Sequence, residues 1–207
     1  MKIYIALTQI AILFFLATPS SAKKLLVDID LKWKPTTELT EIEQISRQLK
    51  AELGSDLSFQ LEKIKDERLI VPLTRIGENK EEPQDFLPVE TQNNIADFVE
   101  QSLLELLKKT ELFTTKNSNT ALNVHLKTFF VTETNTYQGE ATLQFQIKKN
   151  GKVISQQLIT GKSTRFGRSY KLDNYMETLS DSMIDAFKQW ISGPEFKKAF
   201  QTKKSKS

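Results

Sequence analysis

The sequence predicts an α+β fold: a mainly antiparallel sheet with two long helices packed on one face. Three observations carry this. Apolar residues alternate with polar ones through much of residues 120–165, the period of half-buried strands. The pair Asn150-Gly151 divides two such runs, and Asn-Gly is the strongest short-range hairpin signal because both turn positions need positive φ. Two other stretches repeat at three and four residues, Ile95 to Leu107 and Met176 to Ile191, the spacing of an amphipathic helix covering a sheet.

The chain opens "MKIYIALTQIAILFFLATPSSAKK". One lysine precedes an apolar run from Ile3 to Ala17, and Ser20 and Ala22 stand at the −3 and −1 positions of an A-x-A-like cleavage site. The run is shorter than the ~20 residues a spanning helix needs. Residues 1–22 therefore read as a secretory signal peptide. The mature chain starts near Lys23, in the periplasm or secreted, and keeps no transmembrane span.

Beyond the leader, Leu25, Val27, Ile29 and Leu31 alternate with polar residues as a strand that ends before Pro35. "TEIEQISRQLKAEL" sets Ile42, Ile45, Leu49 and Leu53 on one helical face, with Thr40 and Glu43 at capping-box spacing and Gly54 as the stop. Leu57, Phe59 and Leu61 resume the strand period. From Asp66 to Pro88 three prolines and two charge clusters break any periodicity, which predicts a loop. A short strand fits only "RLIVPL", confined to an edge by Pro72. The helix from Thr91 to Lys109 follows, with Phe98, Leu103 and Leu107 toward the sheet. A three-stranded meander comes next. The last helix spans about Asp173 to Ile191, with Leu179, Met183 and Phe187 toward the sheet, and Ser192-Gly193-Pro194 breaks it. "PEFKKAF" adds a short turn before a basic disordered tail, residues 201–207. Residues 23–200 thus form a single domain.

The 207 residues include 29 basic and 26 acidic side chains, one histidine and no cysteine. This near balance is not the footprint of a nucleic-acid binder, which concentrates basic charge. Zero cysteines exclude thiol catalysis, cysteine metal sites and a lipid-modified cysteine. His125 sits on the polar phase of a strand beside Asn123 and Lys127, which are neither bases nor ligands. Glu81-Glu82 lie in the loop and Glu41 and Glu43 on a solvated helix face, so no pattern brings two carboxylates together. Ser163 and Ser169 lack a neighbouring base. "GKSTRFGR" has the G-K-[ST] end of a phosphate loop without its upstream glycine or its following helix. The sequence predicts no enzyme activity and no cofactor.

In order along the chain stand Asp66-x-Arg68, Ile76-Gly77, the Thr91–Lys109 helix with Phe113 after it, the strand "LNVHL", Tyr137, a G-K hairpin, and "ITGKS" before a helix near Asn174. That order, over Leu57 to Ile191, resembles the YajG-type family of bacterial envelope lipoproteins. The resemblance implies an α/β fold similar to that of auxiliary lipoproteins of ABC-type lipid-transport systems. It also implies a periplasm-facing protein with no established enzyme activity and no catalytic residues to carry over. Ala22 stands where the lipidated cysteine would be, so a free periplasmic protein is implied. For Asp66 and Arg68 the expectation is a local ion pair that orients the loop, with a ligand role as the alternative.

"STRFGRSYK" crowds Arg165, Arg168 and Lys171 around Gly167 just before the last helix. Two readings stand. The stretch is a strand-to-helix turn with solvated charges, or it is an anion site at a helix N-terminus. In the second reading it takes a lipid phosphate or an acidic partner side chain, with Phe166 or Tyr170 on its apolar edge. Either way, Arg165→Ala with Arg168→Ala is expected to leave the melting temperature nearly unchanged. The function expected is an exported, non-enzymatic cell-envelope protein that binds a partner protein or an envelope component such as an anionic lipid or glycan. The alternative is a periplasmic lipid or small-molecule binding module, its apolar groove lying between sheet and helices.

Overall fold

A computed structural model of the chain describes residues 27–54, 57–82, 85–114, 118–167 and 171–200. The expected signal peptide, residues 1–22, and the expected tail, residues 201–207, lie outside the described residues, as does Arg168.

The described elements are β1 (Val27–Asp28), α1 (Thr40–Leu53), β2 (Gln60–Leu61), β3 (Lys65–Asp66), β4 (Arg75–Glu82), β5 (Asp85–Glu90), α2 (Ile95–Lys109), β6 (Thr120–Glu133), β7 (Tyr137–Lys149), β8 (Lys152–Arg165), α3 (Leu172–Ser192) and α4 (Pro194–Phe200). They form an α+β fold around an eight-stranded sheet with the main order β1-β5-β4-β6-β7-β8. The sheet is mixed, which corrects the expectation of a mainly antiparallel one, and four helices are described where that expectation had two long ones. β4–β5, β6–β7 and β7–β8 are antiparallel hairpin pairs, but β2, β3 and β4 all pair parallel to β6, and β1 pairs parallel to β5. The physical reason is connectivity. Tight turns make antiparallel neighbours, whereas strands joined through a helical crossover return in the same direction.

A second correction concerns residues 66–88. Instead of one long loop, the segment holds the β4–β5 hairpin, while "RLIVPL" is the irregular part and contains a cis Val71-Pro72 peptide. Charged residues and two register shifts hide β4 from a periodicity search. Pro88 lies within β5 just before the residues paired to β1, Val89 and Glu90, so its missing N–H costs no bond in that ladder. The capping box expected at Thr40 is not formed either. Leu39 is the α1 N-cap and makes no side-chain cap bond. In α2 Asn94 takes that role, accepting from the Asp97 N–H at 3.2 Å.

The helical layer lies against the face of β6 and β7 that carries Leu122, Val124, Leu126, Phe129, Leu143 and Phe145, all buried. Phe98 of α2 meets Phe129 at 5.7 Å between ring centroids, and Trp190 of α3 stacks on Phe145 at 4.5 Å and 7°. Phe59, Phe187 and Phe196 close around Trp190. Leu103, Leu107, Leu179, Met183 and Phe187 are fully buried, as their helical spacing requires. α1 and α4 extend the same layer. Between β1 and α1 the chain runs as a strap over α3, held by side chains: the Ser180 hydroxyl accepts from Lys34 N–H, and the Asp181 carboxylate accepts from the N–H groups of Thr36 and Thr37 and from the Thr36 hydroxyl. Among the described residues, no helix is long and apolar enough to cross a membrane.

The outer edge of β6 is covered piecewise. β2 pairs with Ala121 and Leu122, β3 with His125 and Leu126, and β4 with Val131 to Glu133. Between β3 and β4 the chain leaves the sheet as the excursion 67–74, so Lys127 to Phe130 have no strand partner on that side among the described residues.

Candidate functional site

Asp66 and Arg68 stand at the root of this excursion. Arg68 Nε donates to Asp66 Oδ1 at 2.9 Å and Nη2 to Oδ2 at 2.8 Å, a bidentate fork. The rest of the guanidinium faces the far end of the loop: Nη2 also donates to the Leu73 carbonyl at 2.7 Å and Nη1 to the Arg75 carbonyl at 3.1 Å. The Arg68 side chain is only 2% exposed. Five fixed donors in one plane suit Arg, and not Lys, for tying two chain segments together in this way. Burial disfavours the charged Asp66 carboxylate, yet the hydrogen bonds and charge of Arg68 outweigh it and hold the group below its ordinary value. The Arg75 N–H donates to the Pro72 carbonyl at 3.0 Å, closing a turn inside the loop.

The loop so held presents apolar side chains to water. Leu69 is 100% exposed, Val71 86% and Leu73 58%, and Phe86 of β5 is also exposed. The Arg75 guanidinium lies 5.5 Å from the Phe86 ring centroid and 5.9 Å from that of Phe130, tying these rings to the loop by cation–π contact. Beneath the loop is an open groove of about 360 Å³ lined by Arg68, Leu69, Ile70, Lys127, Thr128, Phe129 and Phe130. A second depression of about 320 Å³ continues from Thr128 and Phe130 across the open sheet face toward Gln138, Glu140 and Lys162.

The charges bordering the groove are internally matched. Glu67 accepts from Lys127 Nζ at 2.6 Å and lies 2.7 Å from His125 Nδ1, and these partners hold Glu67 down to about 2. His125 is thus on the open sheet face, engaged with a surface carboxylate.

The basic stretch is arranged otherwise. Arg165 turns toward α3: its Nη2 ion-pairs with Glu177 Oε2 at 2.5 Å, Nε donates to Asn174 Oδ1 at 3.3 Å, and Nη1 donates to Thr36 Oγ1 at 3.2 Å. Lys34 pairs with Asp173 at 2.8 Å and Glu177 at 3.6 Å, so acids already occupy the first turns of α3. Lys171 is exposed and is the α3 N-cap, its N–H donating to the Tyr137 hydroxyl at 3.2 Å. Phe166 is exposed; Arg168 and Tyr170 fall outside the described residues. The structure therefore brings Arg165 to Glu177 and does not bring it together with Lys171.

One polar cluster escaped the sequence reading. Glu133, at the end of β6 and 1% exposed, accepts from the Tyr175 hydroxyl and from Asn79 Nδ2, the latter at 2.5 Å. Tyr137 packs edge-on to Tyr175 at 4.9 Å. Burial, then the nearby Glu133, pushes the Tyr137 hydroxyl up to about 12 and raises Tyr175 as well. The cluster joins β4, β6, β7 and α3, which identifies it as a clasp. Tyrosines spaced far apart in sequence gave no local signal of it.

The interlayer space that a lipid module would need is filled among the described residues by Trp190, Phe145, Phe59 and Phe187.

No family model matches the sequence, and no curated protein matches it. Among solved structures, the chain is similar to a Xanthomonas campestris protein of family DUF330, with 12% identity and a TM-score of 0.48 over 81% of this chain and 95% of that one. A second, uncharacterized protein aligns at 8% identity and a TM-score of 0.44 over 65% of this chain and 86% of that one.

Proposed function

We propose that this is an exported, non-enzymatic cell-envelope protein that binds a partner protein or envelope component through the face built by the Leu69–Leu73 loop. One observation carries the reading: three large apolar side chains are held in water on a loop that a buried arginine clamps at both ends. Covering a Leu or Val side chain yields about 1.5–3 kcal/mol, and contiguous exposed apolar groups mark interaction sites more often than scattered ones do. Clamping lowers the ordering cost of binding, because the loop is fixed beforehand. The leader-like start of the sequence and the resemblance to the YajG-type envelope family support the location. The alternative of a lipid or small-molecule module gains nothing from the filled interlayer space.

The test is capture from a periplasmic fraction with the wild-type chain and with Leu69→Asp, Val71→Asp. Both positions are exposed, so the double variant is expected to fold normally and to lose an envelope component that the wild type retains. Equal recovery by both would remove the loop from the interface. Purified protein that keeps Met1 and stays in the cytoplasm would overturn export.

A further inference from the structure

We infer that the gap at Lys127–Phe130 takes an extended, uncharged peptide strand from a partner protein, added to the open edge of β6. This rests on the reading of the loop face as the binding surface and names the form its partner takes. The backbone supplies the first argument. β6 is continuous from Thr120 to Glu133, and its inner edge is paired to β7 through this region, with a bulge between Leu126 and Thr128. Its outer edge is paired by β3 up to Leu126, where the Glu67 N–H donates to the Leu126 carbonyl at 2.9 Å, and by β4 from Val131 onward. Among the described residues no strand register places a partner opposite Lys127 to Phe130 on that side. Unpaired edge groups are a template for another strand.

Side chains supply the second argument. The groove beside this edge is walled by Leu69, Ile70 and Phe130, which suits apolar residues at alternate positions of an added strand. The third argument is charge. Arg68 is satisfied by Asp66, and Lys127 by Glu67, so the groove offers no unmatched charge and favours a neutral segment. The β3 and β4 pairings limit the open stretch to Lys127–Phe130, which selects a short strand of about the usual length, five to six residues, with its ends free of the sheet.

The full chain is titrated with a blocked, uncharged peptide of about six residues that alternates leucine and threonine, and with the same peptide N-methylated at alternate amides. Amide hydrogen exchange is read at Lys127–Phe130. The unmodified peptide is expected to slow exchange there, and the N-methylated one to bind about tenfold more weakly or worse, since two or more main-chain bonds are lost. Equal binding of the two peptides overturns strand addition while leaving the apolar loop as a docking face. No binding of either peptide at millimolar concentration also overturns it. Strand addition that survives in Leu69→Asp, Val71→Asp, in which periplasmic capture is lost, would separate the edge from the partner's site and overturn the inference alone. Capture that persists in that variant strikes the loop-face reading instead.

Discussion

Gly161 of β8 lies directly against the backbone of α3: a β-carbon placed on it would meet the Ser182 carbonyl oxygen and the Ala186 nitrogen far inside van der Waals distance, and the Ala186 Cα at 2.8 Å. Gly139 on β7 makes a similar approach to Thr178. The two glycines let the helix settle onto the sheet, where Asp185 Oδ2 accepts from the Lys162 N–H at 2.8 Å. Gly161→Ala is therefore expected to lift α3 and to cost about 3 kcal/mol or more, the upper range of overpacking. A denaturant midpoint equal to wild type would contradict the packing.

Removing the Arg68 fork leaves Asp66 without its partner and frees both ends of the loop. Arg68→Gln is expected to lose about 2–4 kcal/mol and to make the 69–74 segment a new site of limited proteolysis. Arg68→Lys should rescue little, because three hydrogens on one nitrogen cannot replace four bonds made from three nitrogens of a planar fork. Wild-type protease resistance in Arg68→Gln would show that the loop is held by something other than this side chain.

The Glu133 clasp predicts sensitivity to alkali. Tyr137 is raised to about 12 in the folded protein, whereas an unfolded tyrosine titrates near 10. The folded state therefore keeps a proton that the unfolded chain releases. Its stabilising share is complete below about pH 10 and is lost as pH rises through about 12. Tyr175, raised in the same direction, adds to the slope. Urea midpoints measured at about pH 9 and about pH 11.5 should fall steeply in wild type and less steeply in Tyr137→Phe. An unchanged slope in the variant would mean that Tyr137 does not carry it.

Local periodicity made much of this fold readable. The α2 and α3 faces and the Asn150-Gly151 turn follow from spacing alone, because each is a short-range pattern imposed by one buried side. β4 was hidden for the opposite reason. It reads Arg-Ile-Gly-Glu-Asn-Lys-Glu-Glu, and its place in the sheet comes from pairing with β5 and β6 and from Arg75, Glu78 and Lys80 matching each other's charge. The proposed binding face is half legible. Asp66-x-Arg68 reads as a pair from the sequence, but the stretch Lys127–Phe130 without a described strand partner depends on where β3 ends and β4 begins, and that is a property of topology that no segment carries in itself.

Arg165 is where the sequence and the structure give opposite expectations for one mutation. As a solvated charge beside a turn, it is replaceable without loss of melting temperature. In the folded chain its guanidinium pairs with Glu177, whose side chain is 10% exposed, and also reaches Asn174 and Thr36, so it ties the end of β8 to α3 and to the strap. Among the described residues, Arg165→Ala leaves Glu177 with Lys34 at 3.6 Å as its remaining ion-pair partner. The loss of a charge-assisted bond to a largely buried carboxylate is expected to cost about 1.5–3 kcal/mol, or about 3–12 °C in melting temperature for a domain of this size. Adding Glu177→Gln should recover part of the loss, because the orphaned charge disappears with it, whereas Lys171→Ala should be near neutral at its exposed position. Thermal melts of the three variants decide the matter. If Arg165→Ala melts with the wild type, the guanidinium is not spent on Glu177 and is available to an anion at the start of α3.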